Sequence, residues 1–152
     1  MYNSCTDLKK VHGHSRFPKL EDGAGMFAGC TSLIRFAQDD GEDNIFQLPE
    51  LRDGKQMFKE CENLVQAYLY VPELVDATQM FMNSGVQVVD LTYSGNISNC
   101  INATSMYEGC HDLALIKTEG TLFRNSLKTA KYMFWDCTSL EALPTDITMS
   151  NL

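Results

Sequence analysis

The sequence predicts an α/β solenoid: six degenerate copies of one helix-turn-strand unit, stacked so that one face is a parallel sheet. Three observations lead there. A Met-aromatic-x-x-Cys string recurs along the whole chain, fixed columns of leucine and small residues flank it, and a short apolar run follows it at a constant offset.

The string begins at Met1, Met26, Met57, Met80, Met106 and Met133, with spacings of 25, 31, 23, 26 and 27 residues. It reads MYNSC, MFAGC, MFKEC, MFMNS, MYEGC and MFWDC, so Ser84 replaces cysteine in the fourth copy. Seven residues after the Met stand Leu8, Leu33, Leu64, Leu113 and Leu140; six before it stand Leu20, Leu51, Leu74, Cys100 and Leu127. Three before it all residues are small: Gly23, Gly54, Ala77, Ala103 and Ala130.

Small residue, Met, aromatic and Cys fall at i, i+3, i+4 and i+7, the spacing of one helix face. Asp22, Asp53, Asp76, Asn102 and Thr129 immediately precede and suit an N-cap, so a helix of about two turns is expected in each copy. Asp7, Ser32, Asn63, Asp112 and Ser139 suit the turn out of it. Strands are expected in LIRFA from Leu33, LVQAYLYV from Leu64, VQVVDL from Val86, LALI from Leu113 and LEAL from Leu140. Residues Asp39 to Asn44 read as a loop insertion. One repeat domain therefore covers residues 1–152, because no single unit can bury its own apolar face.

The segments MFAGCTSL, MFKECENL, MYEGCHDL and MFWDCTSL resemble the MFxxCxxL repeats of BspA-type leucine-rich repeat proteins, and of a mycoplasma-type repeat family of unassigned function. The resemblance covers essentially the whole chain. It implies a right-handed, leucine-rich-repeat-like solenoid with a parallel sheet on one face, and an adhesin-like role at a cell surface. Ser84 and the shortened turn at Gly85 depart from the pattern.

Composition narrows the function classes. A net charge of −8 and a pI near 4.7 repel phosphates, so no nucleic-acid partner is expected. No apolar stretch is long enough for membrane insertion as a helix, and the polar N-terminal segment lacks the apolar core of a secretory signal. With Met1 as the true start the chain is expected in the cytoplasm; as a portion of a longer family-typical chain it belongs at the cell surface or outside.

Five of the six cysteines occupy the helix-facing column and Cys100 fills a leucine slot, which favours buried, reduced thiols over disulfides. Zinc spacing is absent and no cofactor is expected; His12-Gly13-His14 reads as exposed backbone carrying two histidines. No nucleophile-and-base motif occurs, so catalysis is not expected. Trp135 stands in a column that tolerates polar residues and is expected to be partly exposed.

Binding is instead expected on the outward strand face, at positions nine, eleven and thirteen after each Met. With a one-residue gap in the fourth copy, that surface contains Lys10, His12, His14, Arg35, Asp39, Gln66, Tyr68, Tyr70, Asp90, Thr92, Lys117 and Glu119. Paired Tyr68 and Tyr70 with charged neighbours resemble a binding hot spot. The expected partner is a protein or a glycan. Two alternatives stand beside this reading: a small acidic intracellular inhibitor of a host protein, of the kind a phage or mobile element carries, and a structural segment of a larger surface or fibre protein. Homo-oligomers through uncapped ends of the stack are also expected.

Overall fold

The structure is a computed structural model that describes residues 2–12, 17–37, 45–95, 97–119, 122–123 and 126–143. Its strands are β1 Lys10–His12, β2 Arg35–Ala37, β3 Phe46–Gln47, β4 Gln66–Tyr70, β5 Val88–Asp90 and β6 Leu115–Lys117, of which β1, β2, β4 and β6 begin two residues after a leucine of the column. All pairings are parallel, and the sheet runs β1-β2-β4-β5-β6. The register rows are Lys10-Arg35-Gln66-Val88-Leu115, and Tyr68-Asp90-Lys117 two residues on. β3 takes over the edge of β4 beyond β2, with Phe46 opposite Leu69 and Gln47 opposite Tyr70. That strand is absent from the sequence expectation, and the expected LEAL strand from Leu140 is irregular over residues 140–143. The insertion expected at Asp39 to Asn44 lies outside the described residues.

In class terms this is an α/β chain, with parallel strands joined by crossovers over one face, yet it contains almost no helix. The expected two-turn helices do not form; the 3-10 helix Thr92–Ser94 is the single helical element among the described residues. The methionine-led segments are instead successive turns. In the second segment Met26, Ala28 and Cys30 donate to Gly23, Gly25 and Phe27, while Gly23, Gly25, Phe27 and Gly29 donate sideways to Asp53, Lys55, Met57 and Lys59 at 2.8–2.9 Å. Alternate N–H groups thus point at the next segment, where an α-helix would direct each to its own i−4 carbonyl.

This geometry needs left-handed backbone at two places per segment. Before the Met these are Gly25, Gln56, Gln79, Ser105 and Tyr132; three after it they are Ser4, Gly29, Glu60, Asn83, Gly109 and Asp136, with φ between 54° and 71°. Non-glycine residues enter this region at a cost of about 1–2 kcal/mol. Lateral hydrogen bonds offset that cost: Gln56, Gln79 and Ser105 donate to Thr78, Thr104 and Lys131 at 2.8–3.0 Å. The aspartates expected as helix caps do related work, since Asp22, Asp53, Asp76 and Asn102 each accept from the N–H two residues on at 2.9–3.0 Å. They also bridge one another in parallel through to Thr129.

The i, i+3, i+4, i+7 columns still face the core. Rings stack in sequence from Tyr2 through Phe27, Phe58, Phe81 and Tyr107 to Phe134, with centroids 5.1–5.7 Å apart and interplanar angles of 1–19°. Four thiols of the cysteine column donate to the carbonyl of the preceding segment's aromatic residue: Cys30 to Tyr2, Cys61 to Phe27, Cys110 to Phe81 and Cys137 to Tyr107, at 2.9–3.1 Å. All six cysteines are free. Cys100 fills its leucine slot at 0% exposure between Leu74 and Leu127.

Candidate functional site

Alternation along β4 sets the outward face. Ala67 and Leu69 are fully buried, so Gln66, Tyr68 and Tyr70 stand on the opposite side and remain half-exposed. Arg35 in β2 and Lys117 in β6 are exposed on the same sheet, and Ile116 between Leu115 and Lys117 is buried. Glu119 is exposed just past β6. Lys10 is exposed at the start of β1, and His12 closes that strand. His14 and Asp39 lie outside the described residues.

Two expected site residues are placed otherwise. Asp90 is only 8% exposed, because its carboxylate is turned along the chain: Oδ1 accepts from the Thr92 N–H at 3.1 Å and the Thr92 hydroxyl at 2.5 Å, and Lys117 Nζ lies 3.7 Å from Oδ2. Thr92 is not a strand residue at all. It opens the 3-10 helix, and its hydroxyl is spent on Asp90. The face therefore holds two half-exposed tyrosines beside a neutralised Asp90-Lys117 pair, with Arg35 and Lys10 toward one side.

The turn after Asp90 adds what the offset rule missed. The 3-10 helix carries Tyr93 outward to 51% exposure and buries Ser94, whose hydroxyl accepts from Val71 N–H at 2.9 Å and donates to the Leu69 carbonyl at 3.1 Å. Tyr93 then lines a cleft of about 300 Å³ with Ile45, Gln47 and Tyr70. Leu115, nine residues after Met106 and 45% exposed, belongs to the outward face as well, although it is not among the residues named for it from the sequence. The signal for Tyr93 was present as an aromatic after the strand run; strand periodicity hid it because the chain leaves the strand at Leu91.

Other polar groups explain themselves locally. Lys55 bridges Asp53 and Asp76 at 3.2 and 3.3 Å, relieving repulsion within the aspartate row, and both carboxylates raise its own pKa. His111 Nδ1 sits 3.7 Å from Asp136 Oδ2 at the surface. Burial pushes the thiols of Cys61, Cys100 and Cys110 up to about 12, which suppresses the reactive thiolate. Among the described residues no group of three or more His, Cys, Asp or Glu side chains is placed to hold a metal, and no helix is long and apolar enough to cross a membrane.

Comparison with known proteins places the chain in no family: it matches no family model, no curated protein and no solved structure.

Proposed function

We propose that the chain is a leucine-rich-repeat-like solenoid serving as a non-enzymatic recognition module, adhesin-like in the sense of BspA-type repeats, that takes a protein or glycan on its outward sheet face. The solenoid reading is supported by the in-register parallel pairing of successive segments and by the ring column from Tyr2 to Phe134. The MFxxCxxL likeness of MFAGCTSL, MFKECENL, MYEGCHDL and MFWDCTSL supports the family relation.

The observation that carries the function is the pair Tyr68 and Tyr70. Every core position of β4 is already filled by Ala67 and Leu69, so these rings are not needed for the interior. Half-exposed tyrosines give large, rigid contact area at low entropic cost, which is what binding surfaces use. The test is an array of purified glycans and glycoproteins probed with the wild type and with Tyr68→Ala/Tyr70→Ala. A ligand retained by the wild type and lost by the double variant, at unchanged urea midpoint, is expected. Equal binding by both proteins, or none by the wild type, overturns the reading.

Self-association is proposed through the segment carrying Tyr132 and Trp135, which are 55% and 61% exposed and pack edge-to-face at 5.8 Å. An exposed aromatic pair of this kind is suited to contact with a second copy.

A further inference from the structure

The cleft formed by Ile45, Gln47, Tyr70 and Tyr93 differs from the rest of the surface in a way that defines its ligand. The chain carries a net charge of −8, yet none of these four residues is an Asp, Glu, Lys, Arg or His. Two other hollows carry several charged groups, one lined by Glu21, Glu50, Arg52 and Glu73, another by Glu62, Asn83, His111 and Asp112 among others, and a third combines Ile34 and Val65 with Lys9. Among the described residues, phosphates, carboxylates and ammonium groups find no countercharge in the cleft lining.

The walls come from three neighbouring pieces of chain. Phe46 is buried at 1%, so Ile45 and Gln47 flank it on the outer side of β3. Gln47 lies opposite Tyr70 in the parallel ladder, which sets the amide beside that tyrosine. Tyr93 closes the cleft from the 3-10 helix, held there by the bonds of Ser94 to Val71 and Leu69. A rigid strand pair and a pinned turn thus present two phenol rings, one amide and one aliphatic side chain to a common space.

We propose that this cleft binds a neutral saccharide, with a pyranose ring laid against Tyr70 and Tyr93 and its hydroxyls bonded by Gln47. A pyranose has apolar C–H faces that suit aromatic surface and a rim of hydroxyls that both donate and accept. The Gln amide and tyrosine hydroxyls offer the same dual capacity. A volume of about 300 Å³ is at the lower bound of ligand pockets, suited to one or two rings and not to an extended peptide. The proposal rests on the outward sheet face being a recognition surface and names the ligand class for one part of it.

The experiment uses three uncharged probes, maltohexaose, cellohexaose and fully N-acetylated chitohexaose, each titrated toward about 10 mM against the full chain, the range in which weak, millimolar sites register. Tyrosine ring and glutamine side-chain NMR signals are followed. At least one probe is expected to shift Tyr70, Tyr93 and Gln47 together. Tyr93→Ala should weaken that binding at least about tenfold, as loss of an aromatic anchor does, and Gln47→Ala several-fold, while Lys128→Ala, an exposed side chain outside the cleft, leaves it within about twofold. Tyr93 is half-exposed, so its truncation leaves the fold intact, which the urea midpoint verifies. No shift with any of the three sugars overturns the proposal, as does equal affinity in Tyr93→Ala. Equal shifts from tetramethylammonium chloride at the same concentration also overturn it, in favour of a cation on the rings. Should sugars fail while an array ligand still depends on Tyr68 and Tyr70, the saccharide assignment falls and the recognition face stands.

Discussion

Removing one ring from the middle of the aromatic column tests how the chain holds together. Phe58 is 0% exposed and stacks on both sides, against Phe27 at 5.7 Å and Phe81 at 5.1 Å. Complete burial of a phenylalanine side chain contributes about 1.5–3 kcal/mol, and the cavity left by truncation raises the cost of Phe→Ala to about 3–5 kcal/mol. Two aromatic neighbours, each worth about 0.5–1.5 kcal/mol beyond area, place Phe58→Ala at the upper end, near 4–5 kcal/mol. Phe134 is half-buried and has its single described stacking partner in Tyr107 at 5.5 Å. Phe134→Ala should therefore cost roughly half as much, about 2 kcal/mol. For a chain of this length the central variant should lower the melting temperature by about 10–15 °C. Urea titrations of both variants, fitted with a common slope, measure the difference. Equal destabilisation by the two changes would refute the reasoning, because it would mean that the column's two-sided contacts add nothing to burial.

The remaining predictions use the same assay. Tyr107 is buried with a hydroxyl that has no hydrogen-bond partner among the described residues, in a column that holds Phe at four other places; Tyr107→Phe should stabilise by about 1–2 kcal/mol, and a loss of stability would contradict an unsatisfied hydroxyl. A Cβ at Gly85 would lie 2.0 Å from the Glu62 carbonyl oxygen, whereas at Gly95 it would meet nothing within 4 Å. Gly85→Ala should thus cost more than about 2 kcal/mol and Gly95→Ala only about 1 kcal/mol, from its positive φ alone. Burial raises the Cys61 and Cys110 thiols to about 12 in the folded chain, against about 8.5 when unfolded. The unfolded chain therefore releases protons that the folded one retains, so this contribution is complete below about pH 8.5 and is lost as pH rises toward 12. Urea midpoints should fall from pH 8.5 to 10.5, and Cys61→Ser/Cys110→Ser should flatten that slope; identical slopes would count against it. Trp135→Ser/Tyr132→Ser should reduce any light-scattering mass above the 17.1 kDa monomer, and an unaltered oligomer would remove that face from consideration.

The sequence by itself determined which residues share the interior and where four of the strands, β2, β4, β5 and β6, lie. Columns of Met, aromatic, Cys and Leu mark positions that must be apolar and of constant size, and all of the second segment's set, Met26, Phe27, Cys30 and Leu33, is buried. The alternation of QAYLY likewise gave the faces of β4, because side-chain direction in a strand follows from position alone. Backbone conformation was not legible. The spacing i, i+3, i+4, i+7 is satisfied equally by a helix and by consecutive turns, and the choice depends on where alternate N–H groups find acceptors. Those acceptors belong to segments some 22–32 residues away, so only the assembled stack favours left-handed Gln56, Glu60, Gln79 and Asn83 over helical ones. The same holds at the candidate site. Asp90 and Thr92 obey strand spacing, but their mutual hydrogen bond turns the chain away at Leu91 and sends Tyr93 outward in their place. Local pattern decides what must be buried; contacts between distant segments decide which backbone buries it, and therefore which side chains remain to meet a ligand.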